Sequence, residues 1–179
     1  CLGIDSACDH VEEMMFPIQS WGKEYDAIHT SPFTGYDNWY YILAQSDNTE
    51  VTINGKNNSS STTDTIALTA YSGGSTSNQS FAKITTSNNF TGKVTLNAGQ
   101  YTKIQTKLNF DIRANKPILV GQFMDNILDQ SVTGNGDPAF ILNVPREQYR
   151  NDYSFSVPEN YSYDFATIIS PKGNNIYYT

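Results

Sequence analysis

Cys8-Asp9-His10-Val11-Glu12-Glu13, with Cys1 a short way upstream, gathers the residue types that hold metals or move protons. Thiolate, imidazole and carboxylate are the usual zinc ligands, and structural sites draw them in spaced pairs. No second group of His or Cys follows here. His29 is the other histidine, and its neighbourhood does not repeat the cluster. The expectation for His10 and the carboxylates is therefore hydrogen bonding at a loop-to-strand junction, with no metal site. Cys1 and Cys8 are separated by six residues, which fits neither a Cys-x-x-Cys redox pair nor a zinc ligand pair. In a chain of secreted character the expected outcome is a disulfide that staples this segment.

A second oxygen-rich stretch is 125–137, ending in Thr133-Gly134-Asn135-Gly136-Asp137. Calcium prefers clustered oxygens, so it is the one cofactor this composition leaves open. The EF-hand spacing is absent, and a Gly-rich crossing loop is the expected reading. Glycoside hydrolysis would need two carboxylates about 5–10 Å apart across a cleft. Glu12, Glu13, Asp125, Asp129 and Asp137 are the available groups, and no spacing among them marks a pair. There is no Gly-x-Ser-x-Gly, no phosphate-binding loop and no His-rich metal motif. The expectation is a protein that is not an enzyme.

The elements around these groups read as β-structure. Trp39 to Ala44 is aromatic or aliphatic at every position, the pattern of a strand buried on both faces. Ser46-Asp47-Asn48-Thr49 supplies turn chemistry, and Val51 and Ile53 then alternate with Thr52 and Asn54 up to a turn signal at Asn54-Gly55. Before this hairpin, Tyr25 and Ala27 point one way and Glu24 and Asp26 the other. After it come a short strand at 65–70, Val94-Thr95-Leu96, the turn Asn97-Ala98-Gly99-Gln100, and a strand at 101–106. Phe110, Ile112 and Ala114 face inward, Asn115-Lys116-Pro117 breaks the run, and 118–123 is a further buried strand. Strands are also expected at 140–144, 153–157 and 165–170, with one helical turn after Pro145. Short strands at regular spacing predict a single all-β domain over 1–179, an antiparallel β-sandwich with long polar loops and at most short helical turns.

Twelve Tyr and nine Phe supply much of the burial in a chain that is only 38% hydrophobic, because each aromatic ring carries a large area. Charged residues are 16%, so the surface is built from Asn, Ser, Thr and Gln. That composition suggests a secreted or cell-surface β-protein. The net charge of −7 and the lack of any basic run argue against nucleic acid, and no apolar stretch approaches the roughly 20 residues of a membrane span. The segment 56–80 is Ser-, Thr- and Asn-rich, so it reads as surface. Sequons fall at Asn57, Asn58, Asn78, Asn89 and Asn160, and are the candidate glycosylation sites. The chain stops within strand-forming residues, Ile176, Tyr177 and Tyr178. The expectation is that further strands lie beyond Thr179 or that a neighbouring chain completes the sheet, with these three residues as the assembly strand.

Several short blocks occur in a recognisable order: Cys8-Asp9-His10-Val11-Glu12-Glu13, Trp21-Gly22-Lys23, Tyr41-Ile42-Leu43-Ala44, Asp47-Asn48-Thr49 and Asn54-Gly55. Ala98-Gly99-Gln100, Ile112-Arg113-Ala114-Asn115-Lys116-Pro117-Ile118, Gly121-Gln122-Phe123, Gly136-Asp137-Pro138-Ala139 and Glu147-Gln148-Tyr149 follow. In this order they resemble the N-terminal domain family of the IgG Fc-binding protein. The resemblance implies an extracellular, all-β, non-enzymatic binding or adhesion module, with no catalytic residues to carry over. Its partner would be a protein or glycan at a surface. The other reading is a structural subunit of an extracellular fibre, in which copies of the chain complete each other's sheets by strand addition.

Overall fold

Alternation of apolar and polar residues builds the strands seen in a computed structural model, which describes residues 11–29, 37–56, 64–72, 81–86, 89–124, 139–157, 159 and 166–177, with the backbone alone at 64–65 and 81–86. Among these residues nine strands form: β1 Gly22–Ala27, β2 Asn38–Ala44, β3 Thr49–Lys56, β4 Asp64–Thr69, β5 Phe81–Thr86, β6 Asn89–Leu96, β7 Tyr101–Thr106, β8 Phe110–Met124 and β9 Ala139–Leu142. Two 3-10 turns, Ile18–Ser20 and Arg146–Gln148, are the only helical pieces among the described residues. All pairings are antiparallel. The all-β, antiparallel expectation holds.

β8 is the organising strand. Its first third, Phe110 to Ala114, pairs with β3 on one side and β1 on the other. Its last part, from Ile118, pairs with β2 on one side and β9 on the other. Asn115-Lys116-Pro117 does not end the strand, contrary to the sequence reading; it is the corner between two halves. None of these three residues has a strand partner, so the proline removes no ladder hydrogen bond there. Strands that bend in this way pass from one layer of a sandwich to the other.

The corner is held by side chains. The Glu50 N–H donates to Asn115 Oδ1 at 2.9 Å, and the Lys116 ammonium donates to the Asp47 carbonyl at 2.6 Å. Asp47 in turn accepts from the Ala98 N–H at 2.9 Å. The β2–β3 turn, where Asn48 takes a φ of 53°, is thereby tied to the β6–β7 turn, where Gly99 takes 76°. Both turns fall where Asn, Asp and Gly were expected to make them.

The sheet runs β6-β3-β8-β2-β7 and curls on itself. The β4–β5 hairpin lies beside β6 and β7, joined to β7 by the bridge Tyr71↔Tyr101 and by the Thr69 N–H donating to Thr102 Oγ1. One core fills the curl: Tyr25, Tyr40, Ile42, Val51, Ile53, Ile66, Leu68, Leu96, Ile104, Ile112 and Ile118 are all fully buried. Segment 56–80 is thus not surface throughout, because Ile66 and Leu68 belong to this core. Asn54-Gly55 is not a turn either. Gly55 lies inside β3, and a Cβ there would sit 2.2 Å from the Phe90 ring of the paired strand, so glycine serves packing.

The chain divides into two units, Cys1–Tyr149 and Arg150–Thr179. In the second, the strands expected at 153–157 and 165–170 do not form: residues 152–157 and 166–170 have no strand pairing. A lone extended segment buries no side chain and satisfies no ladder, so pattern without a partner gives no strand.

Candidate functional site

β2 is not buried equally on its two faces. Asn38, Tyr40, Ile42 and Ala44 point into the core, whereas Trp39, Tyr41 and Leu43 face outward and are half-buried. On the neighbouring strands the same outward face carries Tyr101 and Lys103 of β7, Leu119 and Phe123 of β8, and Phe140 and Leu142 of β9. Strand register brings these together: Leu43 opposes Tyr101 and Leu119, and Phe123 opposes Phe140. The result is an apolar groove of about 370 Å³, with Met15 over part of it.

Its rings form a row. Tyr71 stacks on Tyr101 with centroids 5.4 Å apart, and Tyr101 on Tyr41 at 5.9 Å. Tyr41 meets Phe123 edge-on at 5.1 Å, and Phe123 stacks on Phe140 at 4.2 Å with planes 11° apart. Parallel rings separated by about one strand spacing must stand upright on the sheet. Phe123 and Phe140 cover one face of each other, whereas Tyr41 and Phe123 meet edge to face. Lys103 places its ammonium 4.8 Å from the Trp39 ring centroid, at one border of the row. Burial, with the neighbouring phenols Tyr101 and Tyr71, raises the pKa of Tyr41.

Gly121, between Tyr41 and Leu142 in the register, makes room for the stack. A Cβ at this position would lie 2.8 Å from Phe140 Cε2. Gly121→Ala is expected to tilt the Phe140 ring and cost about 1–2 kcal/mol by overpacking. Ring proton shifts of Phe140 and Phe123, with a urea melt, check this.

A larger cleft, about 500 Å³, opens among Asp26, Asn54, Asp111 and Arg146. Asp26, Asp111 and Arg146 there already bond to protein groups. Arg146 donates to Asp26, Asn54 Nδ2 donates to Asp111 at 3.0 Å, and Arg113 lies 3.5 Å from Asp111. Those contacts tie its walls together.

Few of the residues singled out in the sequence come together. Cys1, Cys8, His10, Asn57, Asn58, Asn78, Asn160, Tyr178 and the stretch 125–137 lie outside the described residues. Asn89 opens β6 with its side chain exposed, opposite Lys56, so that sequon sits on a strand. Glu12 and Glu13 are exposed. Ile176 and Tyr177 are exposed and outside any strand. The aromatic row was visible in the sequence only as single residues. Its signal is the odd-numbered half of β2, which full burial of that strand had absorbed.

This geometry is that of an all-β module with an outward aromatic face. The chain belongs to the family described as IgGFc binding protein, whose sequence model matches residues 1–90 and 74–177. Members of this family are typically extracellular binding modules. No curated protein and no solved structure matches the chain. Among the described residues, no helix is long and apolar enough to cross a membrane.

Proposed function

We propose that the chain is a secreted or cell-surface, non-enzymatic adhesion module that engages a protein partner through the outward face of β7, β2, β8 and β9. The observation that carries this reading is the row of five rings on a face that the core does not need. Aromatic side chains dominate protein interfaces because they supply large, stiff contact areas. A sugar stacks on an open ring face, and the close Phe123–Phe140 stack takes one face from each of those rings, which favours protein side chains.

The test uses purified chain on surfaces coated with IgG Fc fragment, against an uncoated surface. Retention on a coated surface is expected, with loss on Tyr41→Ser, a half-buried position whose change leaves the core intact. The recovered partner should be unchanged in mass. Equal retention on coated and bare surfaces removes the reading, and a shortened partner would make the chain an enzyme.

The second reading is a fibre subunit joined to its neighbours by strand addition. It is favoured by one observation, the single-sided pairing of β9, which among the described residues bonds only to β8.

A further inference from the structure

The backbone of β9 can be phased from one hydrogen bond. The Asn143 N–H donates to the Val120 carbonyl at 2.8 Å, continuing the register Gly121↔Leu142 and Phe123↔Phe140. In an antiparallel pair, residues alternate between bonding the partner and pointing their N–H and C=O away from it. Residues 139, 141 and 143 therefore bond β8, and Phe140 and Leu142 direct their N–H and C=O outward. The close Phe123–Phe140 stack agrees, since side chains approach most nearly at the non-bonded positions. Phe140 and Leu142 also carry the outer end of the aromatic face. The same two residues thus offer backbone groups to a new strand and side chains for it to lie against.

A segment with matching periodicity exists in the chain. Tyr153-Ser154-Phe155-Ser156-Val157 alternates apolar and small polar residues with a period of two. Tyr153, Phe155 and Val157 are 64%, 72% and 50% exposed. The segment is strand-patterned, apolar on one side, and has no strand pairing among the described residues. Paired beside β9, its apolar side would extend the ring row by one strand, while Ser154 and Ser156 would face the other way.

We infer that residues 153–157 of a second copy add to the free edge of β9 as an additional strand, with Phe155 packed against Phe140. This rests on the second reading above for its partner and names donor and acceptor for it. It replaces Ile176, Tyr177 and Tyr178 as the assembly strand, because that triplet has adjacent apolar residues and so no single apolar side. Backbone hydrogen bonds would supply affinity, and the alternate side chains would fix the register. Each copy has one donor and one acceptor, so the contact is head-to-tail and builds chains or rings.

Sedimentation velocity over a concentration series tests it on the full chain. Wild type is expected to associate as concentration rises. Phe155→Asp, at an exposed site outside the core, should weaken association at least tenfold, and so should Phe140→Asp. Mixing the two variants should restore a dimer, because one retains an intact acceptor and the other an intact donor. Amide exchange gives a second readout: the N–H groups of Phe140 and Leu142 are protected in the associated wild type and exchange freely in Phe155→Asp. A wild type that stays monomeric up to about 1 mM, or association that Phe155→Asp leaves unchanged, overturns the inference. Retention on coated surfaces by Phe155→Asp is measured in parallel. If retention persists where self-association fails, the adhesion reading stands on its own.

Discussion

Tyr25→Ala is expected to cost about 3–5 kcal/mol, a large part of the roughly 5–15 kcal/mol that keeps an ordinary domain folded. Tyr25 is fully buried, and its hydroxyl has a structural task as well. Between Gly22↔Ile118 and Glu24↔Arg113 the register of β1 on β8 slips, so two residues of one strand span five of the other. Regular pairing lapses there. The Tyr25 hydroxyl fills the gap: it donates to the Ile118 carbonyl at 2.6 Å and accepts from the Gly22 N–H at 3.0 Å. Tyr25→Phe keeps the ring and removes that bridge, leaving a buried donor and acceptor unpaired at about 1–3 kcal/mol. Urea midpoints of the two variants separate the ring's contribution from the hydroxyl's.

The same residue sets an alkaline limit. Burial, partly opposed by the Gly22 hydrogen bond, pushes the Tyr25 hydroxyl up to about 12. An unfolded tyrosine ionises near 10. Between those values the unfolded chain has released a proton that the folded chain retains, so stability falls as pH rises. Wild type should lose stability from about pH 10 upward, and Tyr25→Phe should lose less over the same interval.

Much of this fold was legible in residue patterns. Tyr25 and Ala27 against Glu24 and Asp26, and Phe110 and Ile112 against Asp111 and Arg113, divide into inward and outward sides as alternation requires. The turns at Asn48 and Gly99 were legible because positive φ restricts residue type. What failed was what depends on a distant partner. Asn115-Lys116-Pro117 looks like a terminator, yet it is a corner because Glu50 and Asp47 bond it from another turn. Phe81–Thr86 has weak alternation and is a strand by pairing with β4. Early β6 carried a signal that went unread: Phe90, Gly92, Val94 and Leu96 alternate with exposed residues. The candidate site was least legible, since Tyr41, Tyr101, Phe123 and Phe140 stand on four strands and meet only through register.

Many of the blocks that marked the family resemblance act as fasteners in the structure. Asp47-Asn48, Ala98 and Asn115-Lys116 converge on one set of turns. Trp21-Gly22-Lys23 and Glu147-Gln148-Tyr149 meet at another: the Lys23 N–H donates to Glu147 Oε1 at 2.7 Å, and Gln148 donates to the Ser20 carbonyl. A Cβ on Gly22 would lie 2.2 Å from Pro145 Cβ, which shows how closely the 3-10 turn approaches β1.

Arg146→Ala should have the second large effect, because Arg146 is the main tie between that 3-10 turn and β1. Its guanidinium binds Asp26 through both Nε and Nη2, with Nη1 3.6 Å from Glu24, and the Tyr149 hydroxyl donates to Asp26 Oδ2 at 3.1 Å. Asp26 is largely covered and Arg146 less so. Removing the cation leaves a mostly desolvated carboxylate with the Tyr149 hydroxyl and the more distant charge of Arg113 among the described residues. Breaking a fully buried pair costs about 3–5 kcal/mol. Partial exposure of Arg146 brings the expected loss to about 2–3 kcal/mol. Arg146 also holds the Asp26 carboxyl below the usual carboxylate range, with desolvation pulling the other way. A carboxylate depressed on folding stabilises above its unfolded pKa, near 3.9, and that contribution disappears as pH falls through the lower folded value. Wild type should therefore lose stability steeply on acidification below about pH 4. In Arg146→Ala the folded carboxyl no longer holds its proton affinity down, so the acid slope should flatten. Urea midpoints taken from neutral pH to about pH 2.5 check both effects. If the variant matches wild type at neutral pH and keeps the same acid slope, the Asp26–Arg146 contact contributes nothing to folding.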